Sequence, residues 1–375
     1  MPWKECSTMS LRREFITFAL SHKPSIRVLC RLYGISPKTA YKWIARYREH
    51  GDSGLQDLSR RPRSSPRRTA PELETAVLAV RDRHPTWGGR KIQAYLLAQH
   101  QDPVPAAATI SKILKRHGRI HPDEAAKHRA WKRFEHEAPN ALWQMDFKGD
   151  FPLHAGGRCY PLTVLDDHSR FAVGLRACGN QRAETVQPAL TEVFERYGLP
   201  ESMIMDNGSP WGVGGHSLTQ FSLWLIRLGI TVSFSRPYHP QTLGKDERFH
   251  RTLNEDVLRS QLFEDLNHCQ RHFDDWREIY NLLRPHEAIG MKPPGMRYRP
   301  STRTLPERLE PIQYGPGAIV RKVQDKGEIY YQGRVYVLGR ALRGFPVCLR
   351  HCDLDGMINV YFCHQQIAQI DLTTP

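Results

Sequence analysis

Asp146, Asp206 and Glu247 are the residues whose types and spacing could do chemistry. Asp206 follows Asp146 by 60 positions, and Glu247 follows Asp206 by 41. Trp143, Met145 and Phe147 alternate with Gln144 and Asp146, a period of two that predicts a strand with Asp146 on its less apolar side. The apolar run Met203-Ile204-Met205 stops at Asp206-Asn207-Gly208, a turn signal that leaves the second acid at a strand end. Glu247 falls on a helix whose entry is marked by His239-Pro240-Gln241, since proline is tolerated in a first turn. Three carboxylates from two strands and a helix can hold two divalent cations about 3.5–4 Å apart, the arrangement used for in-line phosphoryl transfer. Oxygen donors and phosphate chemistry select Mg²⁺ or Mn²⁺ over zinc.

The elements around these acids follow from periodicity. Phe249, Leu253 and Val257 recur every fourth residue as a core stripe, while Glu247, Arg251 and Asn254 share a separate polar face. Strands are predicted at Arg158–Leu165, Arg170–Ala177 and Ile230–Phe234, and helices at Glu184–Tyr197 and Leu218–Leu228. That alternation makes an α/β layer fold. Asp166 and Asp167, between two strands, read as turn residues that bond their own backbone. Asp150 and Asp246 read as solvated, Asp246 pointing about 100° around the helix from Glu247. Ser209 lacks the Gly-x-Ser-x-Gly elbow of a nucleophile.

Each piece alone is weak, since Asp-Asn-Gly is commonly a turn and an isolated aspartate commonly a solvated loop residue. Together, Trp143-Gln-Met-Asp146, Leu165-Asp-Asp-His-Ser-Arg170, Asp206-Asn-Gly-Ser209 and His239-Pro-Gln241 with Gly244-Lys-Asp-Glu-Arg-Phe-His250 resemble the integrase core of bacterial insertion-sequence transposases, relatives of retroviral integrases. The resemblance covers Pro139 to Pro300 well and the flanks more loosely. It implies an RNase H-like fold in which Asp146, Asp206 and Glu247 are the catalytic and metal-holding triad. In one departure, 40 residues separate Asp206 from Glu247, more than in many members of the family; Thr242, which the shorter spacing would select, has no carboxylate. The extra length is expected in a flexible loop at Trp211-Gly-Val-Gly-Gly215. Asn207 and His239 are candidate supports behind the triad, and Lys245, Arg248 and Arg251 candidate phosphate contacts, with Arg251 first because it shares the Glu247 face.

Further upstream, Ile26 to Tyr33, Gly34, and a helix capped by Ser36 with Pro37 at its first position have the layout of a helix-turn-helix. Lys38, Thr39, Tyr41 and Lys42 would face the groove, and Trp43 and Ile44 the core. The bland alternative is a helical hairpin with a solvated basic face. Arg60, Arg61 and Arg63, with Arg67 and Arg68, lie in a Gly/Pro/Ser-rich tether and could track phosphates. Leu73, Val77 and Val80, then Trp87-Gly-Gly-Arg90-Lys91-Ile92, then Ile110, Ile113 and Leu114 read as a second helical unit, with Arg90 and Lys91 as DNA contacts. Its Trp87–Ile92 segment resembles the family's second helix-turn-helix. Ala125 to Glu137 reads as a basic connecting helix. Beyond Pro311, five short strands separated by Lys-Gly, Gln-Gly and Asp-Gly turns suggest a small barrel. The expected domains are therefore a helix-turn-helix at 1–50, a basic linker at 51–70, a second helical DNA-binding unit and connector at 71–138, an α/β RNase H-like catalytic core at 139–300 and a small all-β barrel at 301–375.

A net charge of +15 and a pI near 9.6 call for a polyanionic partner, without choosing among such partners. No run of about 18 apolar residues is present, the N-terminus lacks a signal-peptide core, and the eight cysteines include no Cys-x-x-Cys pair, so a reducing cytoplasm is expected, a bacterial one as the resemblance implies. Cys348, His351, Cys352, Cys363 and His364 read as strand residues and not as a zinc site. The resulting expectation is a transposase that binds the terminal inverted repeats of its element and the target DNA, works as at least a dimer on DNA, and carries two Mg²⁺ or Mn²⁺ ions when DNA is bound. The alternatives are a catalytically inactive DNA-binding regulator and an RNase H-like nuclease that only hydrolyses.

Overall fold

The computed structural model describes residues 8–21, 25–58, 69–99, 103–120, 135–206, 208–213, 217–235, 244–259, 261–352 and 356–373. The chain divides into two compact units, Met1–Arg68 and Thr69–Pro375.

In the first unit, α1 (Thr8–Ser21), α2 (Ile26–Leu32) and α3 (Pro37–His50) enclose Phe15, Ile16, Leu29, Cys30, Ala40, Trp43 and Ile44. Gly34 supplies the left-handed backbone of the turn between α2 and α3, at φ 64°. Ser36 then caps α3, its hydroxyl oxygen accepting from the Thr39 N–H at 3.2 Å, with Pro37 in the first turn. A 3-10 turn at Gly51–Leu55 folds back and buries Leu55 completely against these helices.

The second unit begins with α4 (Pro71–Arg83), α5 (Gly89–Ala98) and α6 (Ala107–Arg116) around Val77, Trp87, Ile92, Leu96, Ile110 and Leu114. His84 stacks on Trp87 at 4.0 Å. Of the expected connecting helix at Ala125–Glu137, residues 125–134 lie outside the described residues, and 135–137 are not helical.

The central sheet is built from β1 (Trp143–Phe147), β2 (Phe151–Pro152), β3 (Arg158–Asp166), β4 (Ala172–Cys178), β5 (Ser202–Met205) and β8 (Thr231–Phe234). Its main order is β4–β3–β1–β5–β8, the first three antiparallel and β5 and β8 parallel to β1. This is the RNase H-like arrangement. One face carries α7 (Ala183–Tyr197) and α8 (Gln220–Arg227), which bury Val186, Leu190, Phe194, Phe221 and Leu225 against Met145, Val164 and Met203. The other face carries α9 (Gly244–Leu253) and α10 (Leu266–Glu278), which bury Phe249, Leu253, Phe273 and Trp276 against Cys159, Leu165 and Ala172. Both helices run on into π-helical turns, Asn254–Leu258 and Ile279–Leu283. With both faces covered, the middle strand has no polar side: Gln144, expected on the less apolar face, is 2% exposed.

A hairpin of β6 (Gly212–Val213) and β7 (Ser217–Leu218) occupies the place expected for a flexible loop. That expectation fails at Trp211, which is buried and stacks on Phe147 at 5.5 Å. An indole in a glycine-rich stretch is an apolar anchor, and it pins this end of the hairpin beside β1.

The C-terminal segment is all-β. Strands β9 (Ile319–Lys322), β12 (Pro346–His351), β13 (Met357–Phe362) and β14 (Gln365–Asp371) form an antiparallel sheet in the order β14–β13–β12–β9, and β10 (Glu328–Tyr331) pairs with β11 (Arg334–Val337). The strand β14 has no counterpart in the sequence reading. Val347, Leu349, Ile358 and Val360 join the apolar cluster of α7 and α8, and the Gln365 side chain bonds the N–H and the carbonyl of Val232 at 2.8 Å each. Those two bonds satisfy backbone groups on the sheet's edge strand, which otherwise invites pairing with another chain.

Candidate active site

The 60-residue offset between Asp146 and Asp206 is also the strand register. Trp143 pairs with Met203 and Gln144 with Ile204 across the parallel β1–β5 ladder. Two residues beyond the last of these pairs come Asp146, within β1, and Asp206, directly after the end of β5. Asp146 Oδ1 accepts the N–H of Phe147 at 2.8 Å, and Asp206 Oδ1 that of Gly208 at 3.0 Å. Each aspartate thus has one oxygen held by backbone and a second that accepts no hydrogen bond among the described residues. Glu247 comes from the exposed side of the first turn of α9. Burial, then the Asp206 carboxylate, and more weakly Glu247, push the Asp146 pKa up to about 6, against the Phe147 N–H bond that lowers it. The three acids named from sequence therefore share one electrostatic neighbourhood.

An all-carboxylate donor set with open oxygens suits hard divalent cations such as Mg²⁺. Among the described residues no three acidic, histidine or cysteine side chains are drawn close enough to hold an ion as they stand.

The inward face of α9 holds groups that the sequence reading missed or misjudged. Asp246, expected to be solvated, is completely buried, and neither carboxylate oxygen has a hydrogen-bond partner. Burial first, then Asp146 and Asp167, raise its pKa well above the usual carboxylate range, and Lys245 opposes this. His250 is 9% exposed and within 2.8 Å of Thr163 Oγ1, and that hydroxyl donates to the Asp146 carbonyl at 3.0 Å. Burial, with a smaller push from Lys148, holds His250 down at about 3, so the ring is neutral near pH 7. The signal for this face was in the sequence: Asp246, Phe249, His250 and Leu253 recur at i, i+3, i+4 and i+7.

Asp166 behaves as the turn residue expected, accepting the Ser169 N–H at 2.7 Å, and it also accepts the Asn140 N–H at 2.7 Å. Asp167 does not. It accepts from Gln144 at 2.8 Å and from the His136 N–H at 2.9 Å, and it pairs with Lys245. Its side chain is 1% exposed, too deep to close on its own turn. Lys245, named as a phosphate contact, is directed inward at Asp167 in this state. Asp150 is exposed, as expected of a solvated residue, and pairs with Arg158 across the β2–β3 hairpin.

The other candidate contacts are dispersed. Lys38, Tyr41 and Lys42 are exposed on α3, and the Thr39 hydroxyl lies 2.9 Å from that of Ser36. Arg248 and Arg251 are exposed on α9. Arg90 pairs with Glu287, whereas Lys91 is half-buried, and burial, then Arg284, depress it to about 7. Arg60, Arg61, Arg63, Asn207 and His239 lie outside the described residues. The second helical unit docks on the core: Thr86 donates to Asp256 at 2.7 Å, and Asp256 also pairs with Arg284 at 2.5 Å and accepts from the Trp276 indole at 3.0 Å. Among the described residues no helix is long and apolar enough to cross a membrane.

Integrase core domain families match residues 136–240 and 228–294. A helix-turn-helix domain matches residues 11–63, a homeodomain-like domain residues 39–114, and the IS481 family transposase C-terminal domain residues 318–375. Among curated proteins, the chain is 27% identical over 179 residues to the 39.2 kDa protein of insertion element IS476 from Xanthomonas euvesicatoria, covering 48% of this chain and 49% of that one. It is 29% identical over 157 residues to the 31.7 kDa protein of insertion element IS407 from Burkholderia multivorans, covering 42% and 54%. A putative transposase for insertion sequence element IS5376 from Geobacillus stearothermophilus is 24% identical over 258 residues, covering 66% and 63%. The chain thus spans about half to two thirds of the length of these relatives.

Proposed function

We propose that this chain, an integrase-core protein of the insertion-sequence transposase kind, cuts the ends of a mobile element and joins them to target DNA. The reading is supported by the parallel β1–β5 register, which pairs Gln144 with Ile204 two residues before Asp146 and Asp206, and by the raised pKa of Asp146, to which the Asp206 and Glu247 charges contribute. In the first reaction water attacks the phosphorus at the element end and the 3′-oxygen leaves. In the second, the freed 3′-hydroxyl attacks a target phosphodiester and displaces a target 3′-oxygen. Neither needs a covalent protein–DNA intermediate.

Asp146, Asp206 and Glu247 would hold the Mg²⁺ or Mn²⁺ ions. When bound, these ions supply Lewis-acid stabilisation of the attacking and leaving oxygens. The chain's own residues do the positioning. Backbone N–H groups of Phe147 and Gly208 aim the two aspartates, and the Thr163–His250 contact ties the Glu247 helix to the Asp146 strand. The exposed face of α3 supplies Lys38, Tyr41 and Lys42 to the element end, and Arg248 and Arg251 lie near Glu247 for backbone phosphates. The partners in this reading are double-stranded DNA, as terminal inverted repeats and as target, and a second copy of the chain, because two ends must be joined together. The C-terminal strands act as a small barrel that touches DNA or the partner copy, and the protein works in the bacterial cytoplasm.

The test is a strand-transfer assay with labelled element-end DNA and Mg²⁺ or Mn²⁺, comparing the wild-type chain with Glu247→Gln. Joined product from the wild type and none from a variant that still binds DNA is the expected result. Equal joining by both removes Glu247 from the site, cleavage without joining points to a hydrolase, and binding alone points to a regulator.

A further inference from the structure

We propose that Asp167 is a positioning residue for strand transfer, a single carboxylate that fixes the strand of Asp146 and the helix of Glu247 relative to each other. The inference rests on the reading of Asp146, Asp206 and Glu247 as the catalytic triad.

Asp167 Oδ1 accepts from the Gln144 amide at 2.8 Å and from the Lys245 ammonium, and Oδ2 accepts the His136 N–H at 2.9 Å. Gln144 stands two residues before Asp146 on β1, so the two side chains share a face of the strand. Lys245 stands two residues before Glu247 in the first turn of α9. The carboxylate therefore meets both acid-bearing elements close to the acids themselves. Its own backbone is fixed as well, the Asp167 N–H donating to the Leu142 carbonyl at 2.9 Å, one residue ahead of β1. His136, on the chain's path from the second helical unit into the core, is held at both backbone groups, since His168 Nδ1 donates to its carbonyl at 2.8 Å.

The Asp167 and Lys245 side chains are 1% and 17% exposed. A buried ion pair adds little net stability over apolar groups of the same volume, so stability alone does not account for this one. What it supplies is direction. Apolar contacts between α9 and the sheet are non-directional, whereas two donors on one oxygen hold Gln144 and Lys245 at a single point. A helix held at one point can still tilt. Lys245 and His250, five residues apart, hold α9 at two, the first through Asp167 and the second through Thr163. Catalysis is sensitive to such placement, because a shift of about 1 Å at the reacting groups costs on the order of 100-fold in rate.

The experiment is strand transfer by the full chain with labelled element-end DNA and Mn²⁺, followed across DNA concentration so that the saturated rate and KM separate. The chains are the wild type, Asp167→Asn, Lys245→Gln, the double variant and Glu247→Gln, each with a urea midpoint. Asp167→Asn should lower the saturated rate by about 10- to 100-fold and leave KM within about twofold. Lys245→Gln should do the same. In the double variant an amide meets an amide and the link re-forms, so its loss should be smaller than the product of the two single losses. A role in stability alone would move the urea midpoint and leave the saturated rate of the folded chain intact. The inference is overturned by a wild-type rate in Asp167→Asn, by a change in KM alone, or by single losses that multiply in the double variant. With Glu247→Gln inactive, the triad stands in each of those cases. If Asp167→Asn does not fold, Lys245→Gln, changed at a partly exposed side chain, decides by the same rate: a fall upholds the inference and a wild-type value overturns it. If Glu247→Gln joins as the wild type does, or the wild type joins nothing, the reading of the triad falls and this inference with it.

Discussion

His250 and Thr163 meet at 2.8 Å, and the threonine hydroxyl gives its own hydrogen to the carbonyl of Asp146 at 3.0 Å. The hydroxyl has one hydrogen to give, so the imidazole N–H must be the donor to it. One short relay therefore fixes the height of the Glu247 helix against the Asp146 strand. Thr163→Val removes the acceptor and leaves a buried N–H unpaired, at a cost of about 1–3 kcal/mol. Urea denaturation should show that loss. Strand transfer should fall further than the stability change explains, because the carboxylates lose their relative placement.

The same histidine sets a pH dependence. Its folded-state pKa is about 3 against an ordinary value of 6.5, so the unfolded chain takes up the proton first. Stability from this group is complete above the unfolded value and is lost as pH falls from about 6.5 toward 3. His250→Gln can keep a donor toward Thr163 and cannot titrate. Its denaturation midpoint should fall less steeply than that of the wild type on acidification, and parallel pH profiles would refute the assignment.

What was legible in the sequence was whatever carried its own period or punctuation. The β1 alternation at Trp143, Met145 and Phe147, the turn after Met205 and the Ser36-Pro37 cap each led to the element found. What escaped depended on partners distant in the chain. Asp167 looks like a turn residue until Gln144, Lys245 and the His136 backbone arrive from other elements. Asp246 looks solvated beside Lys245 and Glu247, because charged neighbours in sequence conceal which side of a helix faces the sheet. Trp211 reads as a loop residue because its glycine neighbours outweigh one indole, which packs on Phe147.

Asp256 joins the second helical unit to the core. It accepts from Thr86 and Trp276 and pairs with Arg284, and the Asp256 and Arg284 side chains are 12% and 7% exposed. Asp256→Ala strands the guanidinium, the indole N–H and the hydroxyl together, and should cost about 3–5 kcal/mol. The double variant Asp256→Leu with Arg284→Met removes both charges and should be less destabilised than Asp256→Ala alone. Thermal or urea denaturation of the three chains checks the ranking, and a double variant worse than the single one would show that the charges themselves are needed.

Lys42 offers the sharpest separation of DNA positioning from stability. It is exposed on α3 with its ammonium 4.9 Å from the Trp43 ring, whose other cationic neighbours are Arg12 at 4.0 Å and Arg46 at 4.7 Å. Arg12 also donates to the Leu55 carbonyl and to Asp57, so it holds the domain together, whereas no hydrogen bond of Lys42 occurs among the described residues. A phosphate contact releases about 0.9 counterion from duplex DNA, so Lys42→Ala should lower the slope of log affinity against log salt by about one while leaving the melt within about 0.5 kcal/mol. Weakening should be uniform across DNA sequences if the lysine meets phosphate, and confined to the element end if it reads a base edge. Salt-dependent binding to element-end and unrelated duplexes makes the distinction, and an unchanged slope on both would take Lys42 off the interface.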